Sequence, residues 1–102
     1  MAQLIVVYWR DIPAQVIAKR GRTTAKRQLA ERFEQAIDRA AMRANLRDTD
    51  SYLAEWRRAA PVECGADLDA EAAAAAERLE AEFPDERLQR LVAAGGLEEK
   101  AS

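Results

Sequence analysis

The sequence predicts an α+β domain: a two-layer sandwich in which an antiparallel sheet of three or four strands carries two helices on one face, in the order ββαβα. Three observations lead there. Leu4 to Trp9 is an unbroken run of aliphatic, β-branched and aromatic residues, too short for a helix and closed by Arg10 and Asp11. From Thr24 to Leu46, and again from Asp67 to Phe83, apolar residues recur at a period near that of an α-helix. The 102 residues suffice for one core, a thin one, because much of the 49% apolar share is alanine.

Taken in order, Leu4 to Trp9 is the first strand and Asp11-Ile12-Pro13 a turn. Gln15 to Lys19 reads as the returning strand, with Pro13 outside the paired segment because it cannot donate to a ladder. Gly21 closes the hairpin. The first helix then runs from about Thr24 to Leu46, with Thr23 or Thr24 as cap and Ala25, Leu29, Phe33, Ala36, Ile37, Ala40 and Ala44 on its buried face. After the polar turn Asp48-Thr49-Asp50, residues 51–58 fit either an alternating strand or a helix capped by Asp50. The strand is preferred, since a lone hairpin is a poor platform for two helices. Pro61 to Cys64 adds a short fourth strand. Asp67 caps the second helix, whose stripe is Leu68, Ala72, Ala75, Ala76, Leu79 and Phe83. Pro84 ends or kinks it, and "DERLQRLV" continues to a Gly95-Gly96 stop. Residues 1–96 are thus the expected domain and 97–102 a flexible tail.

Composition excludes several chemistries. With no histidine and one cysteine, the chain cannot build a zinc site from its own ligands or use imidazole acid–base catalysis. "DTDSY" and "DLDAE" echo the start of a calcium loop but lack its sixth-position glycine, and Arg78 stands at position 12 of the frame starting at Asp67. They read as turn and cap residues. Cys64 has no basic neighbour in sequence and reads as an inert thiol. No metal, cofactor or catalytic residue is therefore expected. The absence of a long apolar run or a leader-like start predicts a cytoplasmic protein with no membrane contact.

Charge is segregated along the chain. Residues 1–47 hold 10 basic and 4 acidic residues, whereas 48–102 hold 6 and 14. Either the halves face one another or the basic half meets an external anion.

Three surfaces emerge as candidates. If both helices cover the Leu4, Val6 and Tyr8 face of the first strand, then Ile5, Val7 and Trp9 are left on the other, extended by Tyr52 and Trp56, as an apolar face for another protein or a second copy. The stretch "KRGRTTAKR" gathers Lys19, Arg20, Arg22, Lys26 and Arg27 around Thr23 and Thr24 at the predicted start of the first helix. Cations there oppose the helix dipole, and a bound phosphate or carboxylate reverses the sign. Arg32, Arg39 and Arg43 share one flank of that helix and, with Arg47, form a basic ridge. The acidic second half and an isoelectric point near 5.2 argue against nucleic acid as the partner.

The segments "VVYWRDIPAQVIAKRGR", "AIDRAAMRA" and "YLAEWRR" resemble the small proteobacterial virulence factor domain family, related by name to the conserved virulence factor C proteins. The resemblance spans Met1 to about Phe83, and Trp9-Arg10-Asp11-Ile12-Pro13 is its most specific part. It implies no reaction and no catalytic residue. It does imply a genomic setting beside proteins resembling methylenetetrahydrofolate reductase and corrinoid methyltransferases, and hence an accessory role in one-carbon transfer.

The leading expectation is a non-catalytic cytoplasmic accessory module that binds a protein through the sheet face, with the basic segment adding an anionic contact. The alternative is a binder of a phosphorylated or polyanionic ligand, a nucleotide, folate-type cofactor or nucleic acid, at the basic start of the first helix.

Overall fold

The computed structural model describes residues 2–46 and 48–97. Its elements are β1 (Gln3–Trp9), β2 (Ile12–Arg20), β3 (Thr23–Gln28), α1 (Glu31–Arg43), α2 (Thr49–Leu53), β4 (Trp56–Arg58), β5 (Val62–Glu63), α3 (Leu68–Glu82) and α4 (Asp85–Ala93). All strand pairs are antiparallel. The order across the sheet is β3-β2-β1-β4, with β5 pairing β1 further along the same edge. The α+β class and the antiparallel sheet are as the sequence predicts; the element order differs in two places.

First, the segment expected to begin the long helix is strand β3. Arg20 and Thr23 pair across a two-residue loop, Gly21-Arg22, and Gly21 takes φ +59, the glycine-first choice of a type II′ turn. Ala25 and Leu29 fit a helical stripe because they are four apart, but four is also an even number and suits a strand equally well. The β-branched pair Thr23-Thr24 decides for the strand. α1 starts at Glu31 with acids, Glu31 and Glu34, in its first turn.

Second, residues 51–58 divide between both readings. Asp48, rather than Asp50, caps the short α2 by accepting from the Ser51 amide at 3.3 Å, and only Trp56–Arg58 is strand. Pro13 is also a correction: it lies within β2 opposite Tyr8. The register slips there, Val7 pairing Gln15 and Tyr8 pairing Pro13, so Ala14 is an extra residue and the proline occupies an irregularity where no donor is needed. The Ala14 carbonyl accepts instead from the Leu29 amide at 3.1 Å.

The buried residues of α1, α3 and α4 share one core cluster with Val16 and Ala18 of β2, and Ile5 and Ile17 lie outside it. α3 packs on β2 and β3, with Ala72, Ala75 and Ala76 buried so that helix and sheet approach closely. α1 packs against α4 and against β2. Phe33 meets Phe83 edge-on at 6.2 Å, joining α1 to the end of α3. The core formed this way contains Val16, Ala18, Phe33, Ala40, Leu79 and Leu91, and also Trp9 and Ile12. Among the described residues no helix is long and apolar enough to cross a membrane.

The Trp9-to-Pro13 block is a structural clasp. Arg10 sits in the left-handed region at φ +52. Its guanidinium bonds Glu55 at 3.0 Å and donates to the Gly95 carbonyl at 2.9 Å, while the Asp11 amide donates to the Gly96 carbonyl at 2.8 Å. Arg57 closes the far side, donating to the Arg10 carbonyl at 3.0 Å and lying over the Tyr8 ring at 4.6 Å. The turn of the first hairpin is thus bound to the end of α4 and to the loop before β4.

Two stability predictions follow from these contacts. At Gly96, where φ is +91, an added Cβ would stand 2.6 Å from the Trp9 ring. Gly96→Ala should therefore lower stability by about 2 kcal/mol or more, visible as a large fall in Tm; an unchanged melt contradicts the clasp. Asp67 accepts from the Ala70 amide at 3.2 Å, so Asp67→Ala should cost about 1 kcal/mol and lower Tm by roughly 4–8 °C.

Candidate functional site: the uncovered sheet face

Alternation along the strands puts Gln3, Ile5 and Val7 of β1 on one face with Gln15, Ile17 and Lys19 of β2. Across the next ladder these meet Gln28, Lys26 and Thr24 of β3, and on the other side Val7 pairs Arg58. The main core draws on the opposite face; Ile5 and Ile17, paired across β1 and β2, lie outside it.

The docking face expected from the sequence needs correction at two of its five residues. Ile5 is 3% exposed and Trp9 fully buried, so neither presents a surface. Ile5 pairs across the ladder with Ile17, itself 4% exposed, and Gln3, Gln15, Lys19 and Lys26 occupy the neighbouring register positions on the same face. For Trp9 the cover is distant in sequence. Its indole nitrogen donates to the Tyr52 carbonyl at 3.0 Å, its ring stacks on Tyr52 at 5.8 Å, and Gly96 lies against its edge.

The other three residues do come together. Trp56, half-buried, meets Tyr52 edge-on at 6.1 Å. It stands between two adjoining depressions that share Ala14, Gln28 and Trp56 itself. One, of about 240 Å³, is lined further by Leu29, Glu34, Ile37 and Tyr52. The other, of about 400 Å³, reaches Val7 and Gln15. An apolar floor of Val7, Ala14 and Trp56 is thus flanked by two glutamine amides and one carboxylate. Burial, with Asp38 and Glu34 nearby, raises the Tyr52 phenol above its ordinary pKa, so it remains a neutral hydroxyl. The bulge at Ala14 and the α2 turn create this hollow, and neither was readable from periodicity.

The basic residues are rearranged by the extra strand. Arg20, Arg22, Lys26 and Arg27 are exposed on the β2–β3 hairpin and Lys19 is half-exposed there; Thr23 and Thr24 pair in the ladder and cap no helix. The anion site expected at a helix start is therefore not formed. The ridge is also broken. Arg32 is withdrawn to the end of α3, where it donates to the Glu80 carbonyl at 2.8 Å and to the Phe83 carbonyl, pairs with Asp85 at 3.4 Å and lies over the Phe33 ring at 4.5 Å. This places a cation at the negative end of the helix dipole. Arg39 and Arg43 remain exposed, Arg39 lining a groove of about 330 Å³ between α1 and α4. Arg47 lies outside the described residues, as do 98–102 of the expected tail; Leu97 is exposed.

Cys64 is a free, half-buried thiol beside β5, and burial together with Glu71 pushes its pKa above the ordinary value. It should stay protonated at pH 8. Alkylation by iodoacetamide is expected to be several-fold slower than that of glutathione, and a rate equal to or above glutathione's would refute the protected thiol.

A family model described as virulence factor matches residues 7–92, from the middle of β1 almost to the end of α4. No curated protein and no solved structure matches the chain. The matched span contains the Trp9-to-Pro13 clasp with its partners Glu55 and Arg57, and also Tyr52 and Trp56 of the hollow. The chain belongs to the virulence factor family.

Proposed function

We propose that the chain is a non-catalytic cytoplasmic interaction module that docks another protein around Trp56, where the Val7 face of the sheet meets α1 and α2. The observation that carries this reading is the half-buried Trp56 between two open depressions, with Val7 and Ala14 beside it and the Gln15 and Gln28 amides at the margin. Interface centres have this make-up: an aromatic anchor, little charge, and polar groups at the rim to fix register. The family resemblance adds the class of partner, a protein of folate- or corrinoid-dependent methyl transfer.

Affinity capture from an extract of the native cell, repeated with two variants, tests the proposal. A protein retained by the parent should also be retained by Arg39→Ala, which alters the α1–α4 groove, and be lost with Trp56→Ala. Truncation of a central aromatic costs about 2 kcal/mol, roughly a 30-fold loss of affinity. Retention undiminished by Trp56→Ala, in a variant whose melt matches the parent's, overturns the docking assignment.

A further inference from the structure

We infer that the free edge of β3 takes up an acidic, extended segment of a partner protein as an added strand. The inference rests on the interaction-module reading and names the chemistry of the partner.

β3 ends the sheet order β3-β2-β1-β4, so one side of its backbone pairs with β2 and the other, among the described residues, with no strand. The hydrogen-bond phase follows from one contact. The Leu29 amide donates to the Ala14 carbonyl, and in the same register residues 23, 25 and 27 turn their N–H and C=O groups toward β2. Those of Thr24, Lys26 and Gln28 consequently point away from the sheet, a ladder of alternate donors and acceptors ready for another strand. All three residues are exposed, and their side chains stand on the Val7 face.

Charge selects the occupant. Lys19, Arg20, Arg22, Lys26 and Arg27 crowd this hairpin, and among the described residues none of them forms an ion pair. A second copy pairing β3 to β3 would set these cations against their counterparts, so the edge is guarded against self-association. A strand with Asp or Glu at every second position meets the opposite situation, placing its carboxylates beside Lys26, with Lys19 one strand further in on the same face, while its backbone completes the ladder. Gln28 lies both on this edge and in the wall of the Trp56 hollow, so a strand running along β3 leads directly into it.

The test is fluorescence anisotropy with the intact chain and four labelled probes: an alternating Glu-Val octapeptide, its Gln-Val counterpart, the Glu-Val peptide with alternate amides N-methylated, and an oligothymidylate of similar charge. The Glu-Val peptide should bind at least tenfold more tightly than each of the others. Lys26→Glu with Arg27→Glu should reduce its affinity at least tenfold, and amide NMR shifts should centre on Thr24, Lys26 and Gln28. Equal binding of the Gln-Val or N-methylated peptide, preferential binding of the oligothymidylate, or no binding of any probe overturns the inference. Failure here with Trp56-dependent capture intact removes only the edge assignment. Peptide binding alongside capture indifferent to Trp56→Ala removes only the docking reading.

Discussion

The placement of one indole governs the architecture. Trp9 stands at the end of a strand whose alternation puts it on the side that α3 does not cover, and yet no part of it reaches solvent. Removing a fully buried tryptophan ordinarily costs about 3–5 kcal/mol, a large share of the 5–15 kcal/mol that holds a small domain together. A ring of that size on a bare sheet needs a lid. The lid is assembled from the α2 turn, which offers Tyr52 as a stacking surface and its carbonyl as acceptor, and from the Gly96 backbone, which can come this close to the indole only because it has no Cβ. The left-handed Arg10, its bond to Glu55 and its reach to the Gly95 carbonyl are the means by which those distant pieces are held over the ring. The most specific block of the family resemblance thereby has a packing and positioning role.

Legibility in the sequence followed the range of the forces involved. β1, α3 and α4 were readable because their patterns are local: an unbroken apolar run, an alanine-rich stripe behind an Asp67 cap, and a glycine pair at a helix end. β3 was not, because Ala25 and Leu29 satisfy two periods at once and the turn that separates it from β2 depends on a single glycine. Residues 51–58 split because α2 is too short to show a period. Of the expected docking face, Val7, Tyr52 and Trp56 line two adjoining depressions, but Ile5 and Trp9 are covered, the latter by groups 43 or more positions away that strand alternation cannot foresee.

The segregation of charge has, in part, the first of the meanings the sequence left open, that the halves face one another. Arg10 with Glu55 and Arg32 with Asp85 join the basic and acidic halves. The second pair is largely exposed, and such pairs contribute little by Coulomb attraction alone. Arg32 acts mainly by satisfying carbonyls at the end of α3 and by covering Phe33. Among the described residues the hairpin cations take no part in this stitching and pair with no acid of the second half.

The clasp also dictates when the protein can fold. Arg10 and Gly95 are 85 residues apart, and the Asp11 amide waits for Gly96 as its acceptor. Contacts so far apart in sequence make the central event of folding a late one, after most of the entropy of the chain has already been lost. During synthesis the hairpin of β1 and β2 leaves the ribosome early, bearing an uncovered tryptophan, and only the arrival of the paired glycines shields it. Until then the nascent chain displays an adhesive patch, and a chaperone able to hold one exposed aromatic site would have its whole window of action between those two moments.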